Sequence, residues 1–286
     1  MNTGMDNVLS RADFERMRAF IRERCGIWLG DEKAGFLASR LRLRMNATGM
    51  TSVRDYHFYL RYDAEGAEEE RRFIDSITNN ESYFFREMDQ LADFYEEVVP
   101  MLMRRRALGA PLYIWSAGCA CGEEPYTLAM LLPDELWESG IPPVRILAAD
   151  VNGSVLNRAV KGVYDAHALR HTPPYFRQKH FRQDGNGTYV LESRIRNMVQ
   201  FARFSLLEGP IAAPFREVDA VFCRNVLIYF DDETKKKCIE NIYRRLKKGG
   251  FLFLGLSESL TRITSLFEPV RLKRTVVYRK PEALDL

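Results

Sequence analysis

The fold is decided by residues 112–125, which read LYIWSAGCACGEEP. The apolar run from Leu112 to Ser116 has the length of a buried strand. It ends in a glycine-containing loop, Gly118 to Gly122, and a helix is predicted to follow through Leu132. A strand, a tight glycine loop and a helix in this order are the first unit of a parallel α/β sheet.

The same order recurs downstream of this first unit. The further segments predicted to continue it are strands over 144–149, 218–223, 251–256 and 272–279, and helices over 152–160, 232–247 and 259–266. Strands that are nearly continuous in apolar residues indicate a parallel sheet with both faces covered. The sequence therefore predicts a doubly wound α/β domain.

Two regions depart from this alternation. The chain before residue 79 has no strand-like run, and its apolar residues recur at helical spacing, as in Phe14, Met17, Phe20 and Ile21. Between 175 and 204 the pattern is polar, and the turn sequence DGNG at 184–187 predicts a small antiparallel β insertion that leads into a further sheet strand, Met198 to Phe204. The predicted organisation is a helical domain over 1–78, a linker over 79–110 and the α/β domain over 111–286.

Composition excludes several classes of protein. The 286 residues are 46% hydrophobic and 28% charged, as in an ordinary globular protein. The longest apolar runs are too short to span a bilayer, and the N-terminus has no secretory signal pattern. Five cysteines without a regular framework fit reduced thiols, so a cytoplasmic location without membrane insertion is expected. The net charge of +3 is too small to indicate nucleic acid binding.

The residues of the glycine loop indicate which class of ligand can bind beside it. Glycines let a ligand approach the backbone, and a phosphate normally lies at the N-terminus of the following helix. Here Glu123 and Glu124 occupy the first helical turn and would repel a pyrophosphate, and the loop lacks a phosphate-binding lysine. The loop favours a neutral or cationic ligand, although it is equally open that the two glutamates only complement the helix dipole.

The other strand ends supply three more candidates, because ligands bind at the carboxyl ends of parallel strands. Asp150 is placed to accept hydrogen bonds from ribose hydroxyls, or alternatively to cap the helix that begins near Asn152. Asn225 and Tyr229 follow the third strand, where the first can face the ligand and the second can line the acceptor side. An adenosine-containing, phosphate-free, cationic ligand points to S-adenosylmethionine.

Four segments carry a resemblance to a known family: NESYFFRE at 80–87, WSAG at 115–118, GEEPYT at 122–127 and CRNVLIYFD at 223–231. They look like the motifs of the chemotaxis receptor methyltransferases, the CheR family, in that family's order and over essentially the whole chain. The resemblance implies a Rossmann-like S-adenosylmethionine-dependent methyltransferase domain with a small antiparallel β subdomain, preceded by an all-helical domain. It also implies methyl transfer to glutamate carboxylates in the cytoplasmic helical region of chemoreceptors, forming methyl esters in sensory adaptation.

The site follows from these segments. The predicted cofactor-binding residues are Asn80, Ser82, Arg86, Gly118, Glu123, Asp150, Ser205, Leu206, Asn225 and Val226. The resemblance implies that Arg86 lies near the cofactor carboxylate, Glu123 at its sulfonium and amino end, and Asp150 at its ribose. Ser205 stands where the family often has asparagine. Arg86 and Tyr229 are the predicted catalytic residues.

Two other functions and a metal site have to be considered beside this enzyme. The chain could instead be a cofactor-binding regulatory or scaffolding module of a signalling array that methylates no receptor. Nucleic-acid methylation is disfavoured because no N-P-P-Y tetrad follows the third strand. Cys119 and Cys121 could suggest a metal, but a structural zinc site needs two further ligands and no histidine adjoins them, so no metal is predicted.

Two expectations concern the receptor. From Lys33 to Arg54 the chain has five basic residues and no acidic one. Arg40 and Arg44 share a helix face and are predicted to steer the glutamate-rich receptor, with Arg42 as a weaker candidate, although a solvated face is the simpler alternative. The turn at 184–187 is compact, so we expect no binding of the receptor's C-terminal tether pentapeptide, which some family members capture by strand addition.

Overall fold

A computed structural model of the chain describes residues 9–105, 110–132, 144–208 and 217–282. The chain divides into two compact units. The first contains the residues up to Asn79 together with Tyr229–Asp231, and the second contains Asn80–Ile228 and the residues from Asp232 onward. Each unit is described by itself.

The first unit is built mainly of helices. They are α1 Arg11–Cys25, α2 Ala34–Thr48, α3 Val53–Tyr62 and α4 Gly66–Ile77, with a 3-10 turn at Asp31–Lys33. Helix α1 begins where the Ser10 hydroxyl accepts a hydrogen bond from the Asp13 N–H (3.1 Å), and ends at Gly26, whose φ of 83° suits glycine. The apolar residues spaced along α1 and α2 are buried: Phe14, Met17, Phe20, Ile21, Leu37, Leu41 and Met45. The predicted all-helical N-terminal region is confirmed.

A short segment, Tyr229–Asp231, completes the first unit. The Trp28 N–H donates to the Tyr229 carbonyl (2.8 Å), and Arg22 forms an ion pair with Asp231 (2.7 Å between Nε and Oδ2). Although 209 positions of sequence separate Arg22 from Asp231, these contacts hold the segment at the end of α1.

The second unit is built on two sheets. Its strands are β1 Leu112–Ala117, β2 Val144–Asp150, β3 Val163–Tyr164, β4 Phe181–Gln183, β5 Tyr189–Leu191, β6 Val199–Arg203, β7 Val218–Cys223, β8 Leu246–Leu254, β9 Glu268–Arg271 and β10 Val276–Arg279. The large sheet has the order β6–β2–β1–β7–β8–β10–β9. Its first five strands run parallel, and β10 pairs antiparallel with β8 and β9. The carboxyl ends of the parallel strands therefore share one edge.

Helices of the second unit cover this sheet. They are α5 Met88–Asp93, α6 Val99–Arg104, α7 Glu123–Met130, α8 Gly153–Lys161, α9 Pro174–His180, α10 Ser193–Arg196 and α11 Asp232–Arg245. A π turn, Phe94–Val98, joins α5 to α6, and the Phe94 ring packs edge-on against Phe222 and Phe253. No helix within the described residues is long and apolar enough to cross a membrane. The predicted α/β fold is confirmed.

The small sheet is antiparallel and has the order β3–β5–β4. It begins at Val163, upstream of the insertion expected at 175–204. Val199–Arg203 belongs to the large sheet, which confirms the sheet strand predicted over 198–204. Because β3 is only two residues long, it leaves no alternating pattern in the sequence. A small antiparallel sheet is nevertheless present, as expected.

Near the C-terminus one predicted element is wrong and another is only partly confirmed. Residues 259–266 form turns and not a helix. Here the Ser259 hydroxyl accepts from the Thr261 N–H and the Thr264 hydroxyl from the Leu266 N–H, each at 3.1 Å, and such local bonds compete with a helical ladder. The strand expected over 272–279 is shorter: Val276–Arg279 forms β10, and residues 272–275 form the turn that joins it to β9.

Candidate cofactor site

The glycine loop after β1 lies against the loop after β7. Gly118 has a φ of 82°, and its N–H donates to the Ala149 carbonyl (2.8 Å) at the end of β2. A Cβ at Gly118 would lie 2.5 Å from Cγ2 of Val226, so both the backbone angle and the space require glycine. The structure thus brings the predicted residues Gly118 and Val226 together.

Asp150 ties the end of β2 to the same glycine loop. Its Oδ2 accepts a hydrogen bond from the Ala120 N–H and its Oδ1 one from the Asn152 N–H, each at 2.9 Å. The alternative that Asp150 caps α8 is wrong, because the Asn152 side chain accepts from the Ser154 and Val155 N–H groups and caps the helix.

Glu123 begins α7 and is 5% exposed. Its Oε2 has no hydrogen-bond partner among the described residues. Burial raises the pKa of Glu123 to about 7, although backbone N–H groups, the charge of Arg158 and the Ser82 hydroxyl act to lower it. A buried carboxylate oxygen without a partner is costly, so the residue fits a ligand that brings positive charge. S-adenosylmethionine carries a sulfonium and an ammonium group and therefore fits.

Glu124, the next residue, has its partners within the protein. The Ser116 hydroxyl donates to its Oε1 (2.7 Å), and Nη1 of Arg224 donates to its Oε2 (3.2 Å). Burial raises the pKa of Glu124, while the Arg224 guanidinium lowers it. The two glutamates of the loop therefore differ: both oxygens of Glu124 have partners within the protein, and one oxygen of Glu123 has none among the described residues.

The segment 80–87 reaches this loop from the linker. Phe85 and Glu87 have positive φ angles of 61° and 55°, which residues other than glycine rarely adopt. The Phe85 N–H donates to the Thr127 hydroxyl (3.1 Å) on α7. Arg86 keeps 32% of its side chain exposed; its Nε lies 3.9 Å from Oε1 of Glu87, and its guanidinium lies 5.6 Å from the centre of the Tyr83 ring.

The loop after β7 is organised by Glu258. Its Oε2 accepts from the N–H groups of Asn225 and Gly255, each at 2.7 Å, and its Oε1 accepts from the Ile228 N–H (3.3 Å). Asn225 itself has a positive φ of 58°. Left-handed residues that are not glycine concentrate at functional sites, and Phe85, Glu87 and Asn225 all flank this edge of the sheet.

Ser205 and Leu206 follow β6, the strand beside β2. The Phe204 N–H donates to the Asp150 carbonyl (3.0 Å), which places the two predicted residues next to Asp150. The Ser205 hydroxyl accepts from the Leu207 N–H (3.3 Å), and the Leu206 carbonyl accepts from Nδ2 of Asn241 (3.0 Å) on α11. Hydrogen bonds at both Ser205 and Leu206 therefore hold this loop in place.

The predicted cofactor residues thus lie along one edge of the large sheet, at the ends of β1, β2, β6 and β7 and on the linker. Two residues with important contacts there were missed from the sequence: Arg224 and Glu258. Their partners are 137 and 33 positions away, so no local spacing reveals them. The one available signal was that Arg224 stands within the motif at 223–231.

Other predicted residues lie in the first unit. The Tyr229 hydroxyl accepts a hydrogen bond from Nδ2 of Asn79 (3.0 Å), and its catalytic role stays a prediction. On α2, Arg44 binds the buried Glu69 through Nε (2.9 Å) and Nη2. The Arg40 guanidinium lies 5.0 Å from the centre of the Phe36 ring. Arg42 is exposed. Because Arg44 is bound by Glu69, it is the least available of the three arginines to a partner.

The cysteines of the glycine loop are buried free thiols. Burial raises the pKa of Cys121 to about 12, so the thiolate that a metal requires is disfavoured. Among the described residues there is no group of three or more His, Cys, Asp or Glu side chains that could hold a metal ion.

Comparison with known proteins adds two family matches. Residues 12–78 match the model described as "CheR methyltransferase, all-alpha domain", and residues 80–276 match "CheR methyltransferase, SAM binding domain". Chemotaxis protein methyltransferase 2 of Vibrio cholerae is 36% identical over 96% of this chain and 94% of its own. Chemotaxis protein methyltransferase 1 of Pseudomonas aeruginosa is 35% identical over 94% and 98%. Among solved structures, the N-methyltransferase NodS of Bradyrhizobium japonicum with S-adenosyl-l-homocysteine is 18% identical, covers 66% of this chain and 88% of its own, and has a TM-score of 0.38.

Proposed function

Because this chain belongs to the CheR methyltransferase family, we propose that it transfers a methyl group from S-adenosylmethionine to glutamate side chains of chemoreceptors. The observation that carries the cofactor assignment is the buried Oε2 of Glu123, which has no partner among the described residues at the glycine loop. The names of the relatives favour an enzyme over a regulatory or scaffolding module.

The proposed roles of the residues follow from their positions. When bound, S-adenosylmethionine supplies a methyl group on a positively charged sulfur. Glu123 would face the sulfonium and amino end, Asp150 the ribose hydroxyls and Arg86 the carboxylate. The residues proposed to line the rest of the cofactor are Asn80, Ser82, Gly118, Ser205, Leu206, Asn225 and Val226.

The acceptor needs little chemical activation. A glutamate side chain is already an anion at neutral pH, so no general base has to remove a proton. The protein's task is to place the carboxylate in line with the methyl group and to exclude water. Arg86 is proposed to act here by fixing the cofactor, and Tyr229 by contacting the acceptor.

The proposed reaction is tested with methyl-labelled cofactor and purified chemoreceptors. We expect label to enter the receptor and to be released as methanol by mild base, as a carboxyl methyl ester must be. Receptors whose methylatable glutamates are replaced by alanine are the control and should stay unlabelled. Label that resists base, or that enters RNA and not receptor, would contradict the proposal.

We also propose that methylation needs no tether peptide. The turn between β4 and β5 is closed by Asp184, whose Oδ1 accepts from the Asn186 and Thr188 N–H groups at 3.0 and 2.9 Å. A turn closed in this way leaves few side chains for gripping a peptide. Calorimetric titration with a receptor's C-terminal pentapeptide should show no binding, and micromolar affinity mapping to 185–189 would contradict this.

A further inference from the structure

The guanidinium of Arg224 lies buried where three loops of the cofactor site meet. It follows β7, and only 2% of its side chain is exposed. Its Nη2 donates to the Arg86 carbonyl (2.6 Å) and to Oε2 of Glu87 (3.1 Å), while Nη1 donates to Glu124 (3.2 Å) on α7. One side chain therefore joins the linker, the glycine-loop helix and the loop that carries Asn225.

The backbone of the linker around Arg86 needs contacts from outside the linker to keep its conformation. Phe85 and Glu87, on either side of Arg86, both adopt left-handed angles that cost free energy and persist only when surrounding contacts enforce them. The bonds from Arg224 to the Arg86 carbonyl and the Glu87 carboxylate fix the backbone directly at Arg86. The direction in which the Arg86 side chain leaves the backbone depends on that fixed conformation.

The chemistry of this cluster requires arginine. A guanidinium has donors on three nitrogens in one plane, so it can reach a carbonyl and two carboxylates at once. A lysine ammonium keeps the charge but is a single point on a flexible stem, and cannot occupy the three positions together. The substitution Arg224→Lys therefore separates charge from geometry.

We propose that Arg224 is a positioning residue, which aims Arg86 at the carboxylate of S-adenosylmethionine through the backbone of residues 86–87. This inference rests on the proposed role of Arg86. It assigns Arg224 no contact of its own with the reacting atoms.

The test compares two ligands that differ only at the group Arg86 is proposed to bind. Affinities of the Arg224→Lys variant for S-adenosylmethionine and for decarboxylated S-adenosylmethionine are measured by calorimetry. We expect the dissociation constant of the first to rise about tenfold or more, as for loss of a charge-assisted hydrogen bond, and that of the second to change less than about twofold. A merely structural role would weaken both ligands equally and would overturn the proposal.

The matched control is Arg274→Lys. Arg274 also bridges two carboxylates of the second unit, Asp93 (2.9 Å) and Glu96 (3.0 Å), but it holds the turn between β9 and β10 against the α5–α6 region. Its loss should lower the unfolding free energy and leave both affinities unchanged. If Arg274→Lys reproduced the ligand selectivity of Arg224→Lys, the proposal would be overturned.

A double-mutant cycle with Arg86→Ala tests whether Arg224 acts through Arg86. In that background we expect Arg224→Lys to change the affinity for S-adenosylmethionine by less than about twofold, and fully additive losses would contradict the proposal. If Arg224→Lys does not fold, Arg224→Gln keeps a planar amide donor at the same position and should give the same ligand selectivity. Glu87 is not used for this purpose, because its Oε1 also lies 3.9 Å from Nε of Arg86. Failure of the wild-type protein to methylate receptors would instead refute the proposed function, since these binding measurements need no receptor.

Discussion

Two buried glutamates of this chain, one in each unit, have opposite surroundings. Glu69 on α4 is 4% exposed, and both its oxygens are occupied, by two bonds from Arg44 and one from the Tyr56 hydroxyl (2.7 Å). Glu123 on α7 is 5% exposed, and its Oε2 has no partner among the described residues. Equal burial thus says little about role. The difference lies in whether the protein itself completes the hydrogen bonds: a completed carboxylate stabilises the fold, and an incomplete one is a candidate for binding a ligand.

The largest effect is expected from Glu69. The change Glu69→Ala leaves the Arg44 guanidinium and the Tyr56 hydroxyl without their acceptor, so we expect the unfolding free energy to fall by about 3 kcal/mol. Urea unfolding followed by far-UV circular dichroism measures this. Glu68→Ala on the same helix is the control, because its ion pairs are exposed and contribute at most about 0.5 kcal/mol. Similar losses in the two variants would contradict the interpretation of Glu69.

Unlike Glu69→Ala, the change Glu123→Gln should not lower the unfolding free energy, but it should weaken cofactor binding. The raised pKa means that ionising Glu123 at pH 8 opposes folding, so the amide should leave the unfolding free energy of the ligand-free protein equal or higher. The same change removes the negative charge facing the cofactor, and we expect the dissociation constant of S-adenosylmethionine to rise about thirtyfold, or roughly 2 kcal/mol. Calorimetry and urea unfolding at pH 8 measure the two effects. If Glu123→Gln lost stability and kept its affinity for S-adenosylmethionine, Glu123 would be a structural residue like Glu69, and the comparison would be wrong.

The fold was largely readable because its strongest signals are local. The apolar runs that became β1, β2 and β7 are buried on both faces, so their sequence is nearly continuous in apolar residues. β9 reads Glu-Pro-Val-Arg and lies at the sheet edge with most residues exposed, so it resembles a loop. The error over 259–266 has a similar cause, since apolar spacing predicted a helix where Ser and Thr hydroxyls bond the backbone instead.

Only the site residues that follow predicted strands or lie in recognisable motifs could be predicted from the sequence. Glu123 and Asp150 were found because they immediately follow strands or glycines. The chemistry of the loop alone could not distinguish Glu123 from Glu124, and only the family resemblance selected Glu123. Arg224, which pairs with Glu124, lies 100 positions away in the chain. Long-range ion pairs leave no periodic pattern, and for the same reason the engagement of Arg44 by Glu69 was not foreseen.

A smaller effect should appear in the pH dependence of cofactor binding. Because the pKa of Glu123 is raised to about 7, the free protein holds a proton there below this pH, and a cationic ligand has to displace it. We expect the dissociation constant of S-adenosylmethionine to be constant above pH 8 and to rise about fivefold from pH 7 to pH 6. Calorimetry across this range measures the profile, and Glu123→Gln should flatten it.

Other groups near Glu123 should not produce this profile. Those whose charges interact with it are Arg158, Cys119, Cys121 and Tyr164. Burial raises the pKa values of the two thiols and the phenol well above this range, so they stay neutral. An unchanged pH profile in Glu123→Gln would contradict the assignment.

The smallest effect is expected on the rate of receptor methylation when arginines of α2 are reversed in charge. As with the two glutamates, one arginine is bound within the protein and another is not. Arg44 is held by Glu69, so reversing its charge would disturb the fold and could not report on docking alone. Arg42 is exposed and forms no ion pair with another described residue, and Arg40 lies over Phe36. At low salt we expect Arg42→Glu to slow methylation of a glutamate-rich receptor by about threefold, because exposed charges mainly steer encounter. Arg40 is half-buried and its Nε is buried, so Arg40→Glu should slow methylation less. The rates are compared at limiting receptor concentration, with Arg104→Glu, an exposed position on α6, as the control of equal charge change.

The difference in rate between the α2 variants and this control should vanish at 0.5 M salt, where the screening length is only about 4 Å, and the affinity for S-adenosylmethionine should not change. Equal rates for all three variants at low salt would show that this face of α2 is only a solvated surface.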